Sequence, residues 1–299
     1  MIPTPMLEQL STRPGFFAAL DQSGGSTPGA LKLYGVPESQ FGDAAAMFEL
    51  VHAMRARIMT APSFTAGKVL AAILFEDTME RDVGGKPTAQ YLWDKGVVPI
   101  LKVDKGLEAE RGGVSLMKPI PGLDDLLARA KAHGIFATKM RSTIGEAAPD
   151  GVRAIADQQF ALAVRIADAG LAPIVETEVL IKTPDKAGAE ALLLDALRRG
   201  LDALPAGMRV ILKLTLPSVP NLYEALADRP EVVRVVALSG GYTRTEACER
   251  LARNRHMIAS FSRALLEDLR VSMTDAQFDA ALASAIDEIY RASTVKIAG

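Results

Sequence analysis

In the stretch RVILKLTLPS, residues 209–218, an amine sits inside an apolar run: Val210, Ile211 and Leu212 precede Lys213, and Leu214 and Leu216 follow it. Lysine is almost never buried unless it is paired or employed. Charged and polar residues also stand at the ends of other apolar runs. Asp21 follows FFAAL, Glu76 closes AAILFE, and Lys102 lies in VVPILKV with Asp104 and Lys105 just behind it. Lys139 and Arg141 end GIFATK, Glu176 and Glu178 end APIVE, Ser239, Gly240 and Gly241 follow VRVVAL, and Ser260 and Arg263 come with MIASF. If these ends converge, one site holds several lysines, two arginines and several carboxylates. A lysine among other cations in a partly desolvated pocket has its charged form disfavoured, with Lys102, Lys139 and Arg141 as the neighbouring cations. A free amine attacks a carbonyl carbon and forms a Schiff base. The alternative is that Lys213 pairs with Glu176 or Glu178 and only closes the structure, since structural ion pairs occupy such places too.

The elements that would bring these residues together are short apolar runs alternating with helical patterns. Eight runs read as strands: 16–20, 71–76, 97–103, 134–139, 172–176, 210–214, 233–238 and 257–261. Each is too short for a helix, and continuous apolarity suits a parallel strand covered on both sides. Between them, Met47, Leu50, Val51, Met54 and Ile58 recur at the helical period, as do Leu193, Leu197, Leu201 and Leu204. Asp150 is expected to cap a helix that runs to Gly170, and TRTE (243–246) and TDAQ (274–277) read as capping boxes. The pattern predicts an α/β protein: a single-domain (β/α)8 barrel over residues 1–299 with short terminal extensions. A doubly wound open sheet is the other candidate, but no G-x-G-x-x-G fingerprint favours it. In a barrel the C-terminal ends of all strands meet at one mouth, where active sites form.

Two glycine-bearing stretches add a second kind of chemistry. LSGGYT (238–243) and SFSRAL (260–265) follow the seventh and eighth runs, the places where barrels often bind phosphate. Glycine lets backbone N–H groups approach an anion, and an arginine such as Arg263 adds a bidentate partner. DQSGGST (21–27) is a further anion-loop candidate. The bulk properties exclude other classes. A formal net charge of −2 and the absence of a basic run argue against nucleic-acid binding. The lone Cys248 excludes an internal disulfide and fits a reducing compartment. The N-terminal MIPTPMLEQLSTRPG does not read as a signal peptide, and no apolar run reaches the roughly 18 residues of a membrane span, so a cytoplasmic location is expected. His52, His133 and His256 are the only histidines and none has a metal-motif partner nearby, so neither a metal nor another cofactor is expected.

Together these stretches identify the chain as similar to the class I fructose-bisphosphate aldolases, of the compact bacterial type. The resemblance rests on ALDQSGGS, ILFEDTM, LKVDKG, TKMRS, PIVETEV, LKLTLP, LSGGYT and SFSRAL, in family order over nearly the whole chain. It implies metal-independent, reversible cleavage of fructose 1,6-bisphosphate into dihydroxyacetone phosphate and glyceraldehyde 3-phosphate. It also implies roles: Lys213 as the Schiff-base lysine, Glu176 as proton donor and acceptor, and Asp21 in carbon–carbon cleavage. Lys139, Arg141 and Lys102 then stand beside the reacting centre. Ser23, Ser26, Glu178, Ser239, Gly240, Gly241, Ser260 and Arg263 make up the expected substrate-binding set. The expected partner is a small phosphosugar, with no nucleic acid or membrane, in a homo-oligomer. The chain departs from animal members at Gln22, where they carry glutamate, and at Gly29 and Ala30, where they carry a basic pair, with Lys32 nearby; it also lacks their long tyrosine-ended tail. The first two departures leave open how the second phosphate is bound. Another Schiff-base lyase or transferase of this fold, or a phosphosugar-binding protein without turnover, remain the other readings.

Overall fold

In the computed structural model, which describes residues 4–23 and 26–297, eight parallel strands close into a barrel. They are β1 (Phe16–Leu20), β2 (Val69–Leu74), β3 (Val98–Lys102), β4 (Ala137–Ile144), β5 (Ala172–Val179), β6 (Val210–Thr215), β7 (Val232–Leu238) and β8 (Met257–Phe261). Each pairs in parallel with the next, and β8 pairs back onto β1, which decides for the barrel over the open sheet. Nine helices of seven residues or more surround it among the described residues: α1 (Thr4–Thr12), α2 (Ser26–Tyr34), α3 (Ala44–Thr60), α4 (Thr88–Asp94), α5 (Leu123–Ala132), α6 (Pro149–Asp168), α7 (Lys186–Asp202), α8 (Arg244–Ala252) and α9 (Asp275–Thr294). None of the described helices is long and apolar enough to cross a membrane.

The period of two along each strand divides the core into two layers. On β6, Val210, Leu212 and Leu214 belong to the outer layer, which they share with helical residues such as Leu193, Leu197 and Leu201. Ile211 belongs to the inner layer with Phe17, Ile73, Val98, Ile100, Ile174, Val236 and Ile258. Met6 and Leu10 of α1 join that inner layer. The N-terminal helix therefore plugs the bottom of the barrel. Lys213 follows Ile211 by two residues and so faces inward, one step nearer the mouth. The apolar sequence around it belongs to the opposite face of the strand.

Several boundaries differ from the sequence expectation. The strand expected over 71–76 ends at Leu74, and Glu76 opens a one-turn helix, Glu76–Met79. There Glu76 pairs with Lys105 at 2.7 Å and, alongside Glu80, with Arg129 at 2.6 Å. The run 134–139 begins with a left-handed Gly134, and β4 continues to Ile144, so Lys139 and Arg141 lie within the strand. Likewise β5 extends to Val179 and contains both Glu176 and Glu178. Alternating charged residues hid the last turn-ward halves of both strands from a count of apolarity. Asp150 is not the cap of α6: Ala148 holds that position, Pro149 starts the helix, and Asp150 follows inside the first turn. Pro149 is well suited to the start because its missing N–H has no partner there anyway. Thr274 and Gln277 form the full reciprocal box, whereas at α8 only the Thr243 side chain accepts, from the Glu246 N–H. Two small features were not foreseen, a hairpin of Asp82–Val83 with Lys86–Pro87 and an antiparallel strand, Val114–Ser115, on the end of β4.

Leu10 is fully buried in the inner layer. Leu10→Ala is expected to lower stability by about 2–5 kcal/mol, through lost burial and an unfilled cavity. Urea denaturation checks this, and a loss below about 0.5 kcal/mol would mean that α1 does not seal the barrel.

Candidate active site

The site is built on three neighbouring strands. The register sets Arg141 of β4 opposite Glu176 of β5, and Glu176 opposite Lys213 of β6. The Glu176 carboxylate bridges two amines: Oε1 lies 3.1 Å from Lys213 Nζ and Oε2 lies 3.0 Å from Lys139 Nζ. Lys139 also reaches Asp21 Oδ2 at 2.6 Å, and Asp104 Oδ2 stands 3.9 Å away. Lys102 lies 3.4 Å from Asp104 Oδ1 and donates to Ser23 Oγ at 2.5 Å. One layer further out, Arg141 Nε donates to Glu178. Lys139, Glu176 and Lys213 are each 3% exposed, and Asp21 8%.

The expectation of surplus cations around Lys213 is corrected here. The charged group nearest it is a carboxylate, and Lys102, Lys139 and Arg141 each have a carboxylate of their own. The same pairing decides the charge state of the cluster. Burial alone would push the Lys139 ammonium down, but Asp21, Glu176 and Asp104 outweigh it and hold the amine well above the usual lysine range. Burial alone would push the Asp21 carboxyl up, but Lys139, Lys213 and Lys102 hold it well below the usual carboxylate range. Glu176 is lowered too, its burial offset by Lys139 and Lys213. Arg141 is raised, its burial offset by Glu178 and Glu176.

A cavity of about 870 Å³ opens above this cluster. Asp21, Lys102, Lys139, Arg141, Glu176, Glu178 and Lys213 line it from the strands, and Ser239, Gly240, Ser260 and Arg263 line it from the β7 and β8 side. Gly240 is left-handed, at φ 63°, and a Cβ there would come within 2.7 Å of Ile181 Cγ2. A Cβ on Gly241 would meet Arg263 Nη2 at 3.5 Å, so the guanidinium lies against the Ser239–Gly241 turn. Ser23 contributes through Lys102 rather than as a wall. Of the DQSGGST loop, Gly24, Gly25 and the Ser26 side chain lie outside the described residues.

The structure adds residues that the spacing did not single out. Gln22 donates to Ser262 Oγ at 2.6 Å and so ties the β1 loop to the β8 loop. Arg55 of α3 is fully buried, donates to the Gln22 carbonyl and to Thr78 Oγ1, and supports the Asp21–Ser23 backbone from behind. Burial pushes the Arg55 guanidinium down to about 10 even with Asp21 and Asp77 nearby. Arg55 was detectable as a charge next to Met54 on the apolar face of its helix. Arg270 and Lys32 also line the cavity, and nothing in their local sequence marks them. Among the described residues, no group of three or more His, Cys, Asp or Glu side chains is arranged to hold a metal ion.

A family model described as fructose-bisphosphate aldolase class-I matches residues 48–188. A fructose-bisphosphate aldolase class 1 from Synechocystis sp. is 58% identical over 288 residues, which is 96% of this chain and 96% of that protein. The chain belongs to the class I fructose-bisphosphate aldolase family. A Plasmodium falciparum fructose-bisphosphate aldolase structure matches with a TM-score of 0.77 at 20% identity, over 100% of this chain and 97% of that one. A Corynebacterium glutamicum structure matches with a TM-score of 0.54 at 13% identity, over 97% of this chain and 92% of that one. These two likenesses carry the barrel fold alone. In this aldolase the stretch matched by the family model contains β2 to β5, and with them Lys102, Lys139, Arg141, Glu176 and Glu178.

The buried charges make this aldolase's stability depend on pH. Asp21 is lowered in the folded state, so its contribution is present above the unfolded carboxyl value of about 4 and is lost as pH falls below it. Lys139 is raised, so its contribution is present below about pH 10 and is lost as pH rises beyond that. Asp21→Asn is expected to flatten the acid limb of the stability profile between about pH 4 and pH 2. Denaturant midpoints measured across that range check it, and an unchanged limb would show that Asp21 is not held charged.

Proposed function

We propose that this chain catalyses the reversible cleavage of fructose 1,6-bisphosphate to dihydroxyacetone phosphate and glyceraldehyde 3-phosphate through a Schiff base on Lys213. The observation that carries this is the bridging of two buried amines, Lys213 and Lys139, by the one carboxylate of Glu176 on the floor of an open cavity. Glu176 takes a proton from Lys213, and the freed amine attacks the C2 carbonyl to form a carbinolamine. Glu176 then gives that proton to the leaving hydroxyl, water departs, and an iminium remains. Asp21 removes the C4 hydroxyl proton. The C3–C4 bond breaks, its electron pair moves into the iminium to give an enamine, and glyceraldehyde 3-phosphate leaves. Protonation at C3 and hydrolysis of the imine release dihydroxyacetone phosphate and regenerate Lys213. Lys139 stays charged and fixes the Asp21 and Glu176 carboxylates on either side of it.

Ser239, Gly240, Gly241 and Arg263 hold the C1 phosphate in this reading. The supporting facts are the left-handed turn after β7 and the guanidinium packed against it. That turn follows the strand next to β6, which suits a phosphate one carbon from the imine. Ser260, Glu178, Arg141 and Lys102 contact the sugar, and Ser23, in the loop that carries Asp21, and Ser26, at the start of α2, complete the substrate-binding set. The protonated imine is the electron sink, so the reaction is metal-independent and needs no other cofactor. The same reading places the enzyme in glycolysis or gluconeogenesis in the cytoplasm, as one barrel domain within a homo-oligomer.

Borohydride reduction in the presence of fructose 1,6-bisphosphate is expected to fix a sugar adduct on Lys213, located by peptide mapping. An adduct confined to Lys139 or Lys102 would move the chemistry to another amine. No adduct and no cleavage would leave the Lys213–Glu176 pair structural and the protein a binding protein. Lys213→Arg is expected to be inactive, because a guanidinium does not deprotonate. Activity is expected to survive EDTA; loss in EDTA with recovery on added zinc would contradict the imine as the electron sink.

A further inference from the structure

The cations that face the cavity fall into two groups. On the floor, Lys102, Lys139, Arg141 and Lys213 are matched by Asp104, Asp21, Glu178 and Glu176, each within ion-pair reach. At the rim stand Arg263, Lys32 and Arg270, and among the described residues none of these makes an ion pair with a carboxylate. Lys32 lies on α2, whose Ala30 and Leu33 line one small crevice together with Arg263, Leu266 and Leu269. Arg270 follows Leu269 directly and has its Nη1 held by the carbonyls of Glu267 and Leu269, at 2.8 and 2.9 Å. Lys32 and Arg270 thus stand on segments that border the same crevice and line the same mouth.

A sugar bisphosphate brings about −1.5 to −2 charges at each end. The floor is already balanced, so it offers no net attraction for the second phosphate. The rim has three uncompensated cations, and the Ser239–Gly241 turn claims one of them, Arg263. We propose that Lys32 and Arg270 form the subsite for the phosphate remote from the imine, the C6 phosphate. Gly29 and Ala30 line the same cavity but bring no charge, and Lys32 sits one helical step further on. The subsite makes the enzyme prefer a bisphosphate to a monophosphate. It rests on the proposed cleavage reaction.

The test compares kcat/KM for fructose 1,6-bisphosphate and fructose 1-phosphate in wild type, Lys32→Ala, Arg270→Ala, the double variant and Arg263→Ala. Wild-type cleavage of neither substrate would overturn the reaction itself. With cleavage established, each rim variant is expected to lower the bisphosphate-to-monophosphate preference by about 10-fold, and the double variant by about 100-fold. Arg263→Ala is expected to lower both substrates together, because both carry the C1 phosphate. A double variant with wild-type preference would overturn the proposal and move the C6 phosphate to the Lys102 and Ser23 side. Equal losses on both substrates in the rim variants would overturn it too, by giving Lys32 and Arg270 a structural role. Arg270→Lys is expected to recover part of the preference, since charge is kept and the fork lost.

Discussion

Lys139 is the charge on which the site depends. Its ammonium sits in the barrel interior, 2.6 Å from Asp21 and 3.0 Å from Glu176. Without it, two carboxylates from β5 and the β1 loop would face each other in a poorly hydrated space, and one of them would take up a proton. With it, both remain charged, and Glu176 keeps its second oxygen for Lys213. Buried charges of this kind are expensive in desolvation and add little net stability even when paired. Under the proposed chemistry, their retention makes sense as a site held ready, with Asp21 and Glu176 both fixed by Lys139, which does not itself react.

The barrel provides the means of holding it. Inward positions on β4, β5 and β6 change from apolar to charged along the strand: Ala137 gives way to Lys139 and Arg141, Ile174 to Glu176 and Glu178, and Ile211 to Lys213. The apolar inner layer below acts as a floor that excludes water, and the closed register fixes the heights of the charged residues relative to one another. A one-residue slip of any of these strands would turn its charge into the outer layer against the helices. Register is therefore specified from both faces, by burial outside and by ion pairing inside.

Much of this was legible in the chain. Eight apolar runs alternating with helical periods gave the barrel, and the charges ending those runs gave the floor of the site. What was misread follows a common cause. Strands β4 and β5 run three to five residues beyond their apolar cores, because alternate inward positions there are charged. A reading that equates strand with apolarity stops too early at a polar mouth. Glu76 shows the converse: it follows an apolar run like the others, yet the chain turns into a short helix and sends its carboxylate to Arg129 and Lys105. Lys32 and Arg270 could not be located from spacing, since they reach the cavity from α2 and from the segment after β8 rather than from a strand end.

Under the proposed reaction, the division between floor and rim lets one cavity serve both chemistry and recognition. Proton transfer calls for groups whose charges are fixed by close partners and shielded from substrate charge, and the paired floor provides that. Phosphate capture calls for cations without a protein counter-ion, and at the rim Arg263, Lys32 and Arg270 stand exposed with no carboxylate paired to them among the described residues. Placing unpaired cations among the floor carboxylates would collapse them onto Asp21 or Glu176, whose charges the proposed reaction uses. Keeping them apart, on α2 and on the segment after β8, lets the substrate rather than the protein complete their pairing. Gln22 links the two zones, donating to Ser262 while its carbonyl accepts from Arg55, so the loop that carries Asp21 is tied to the loop that leads to Arg263.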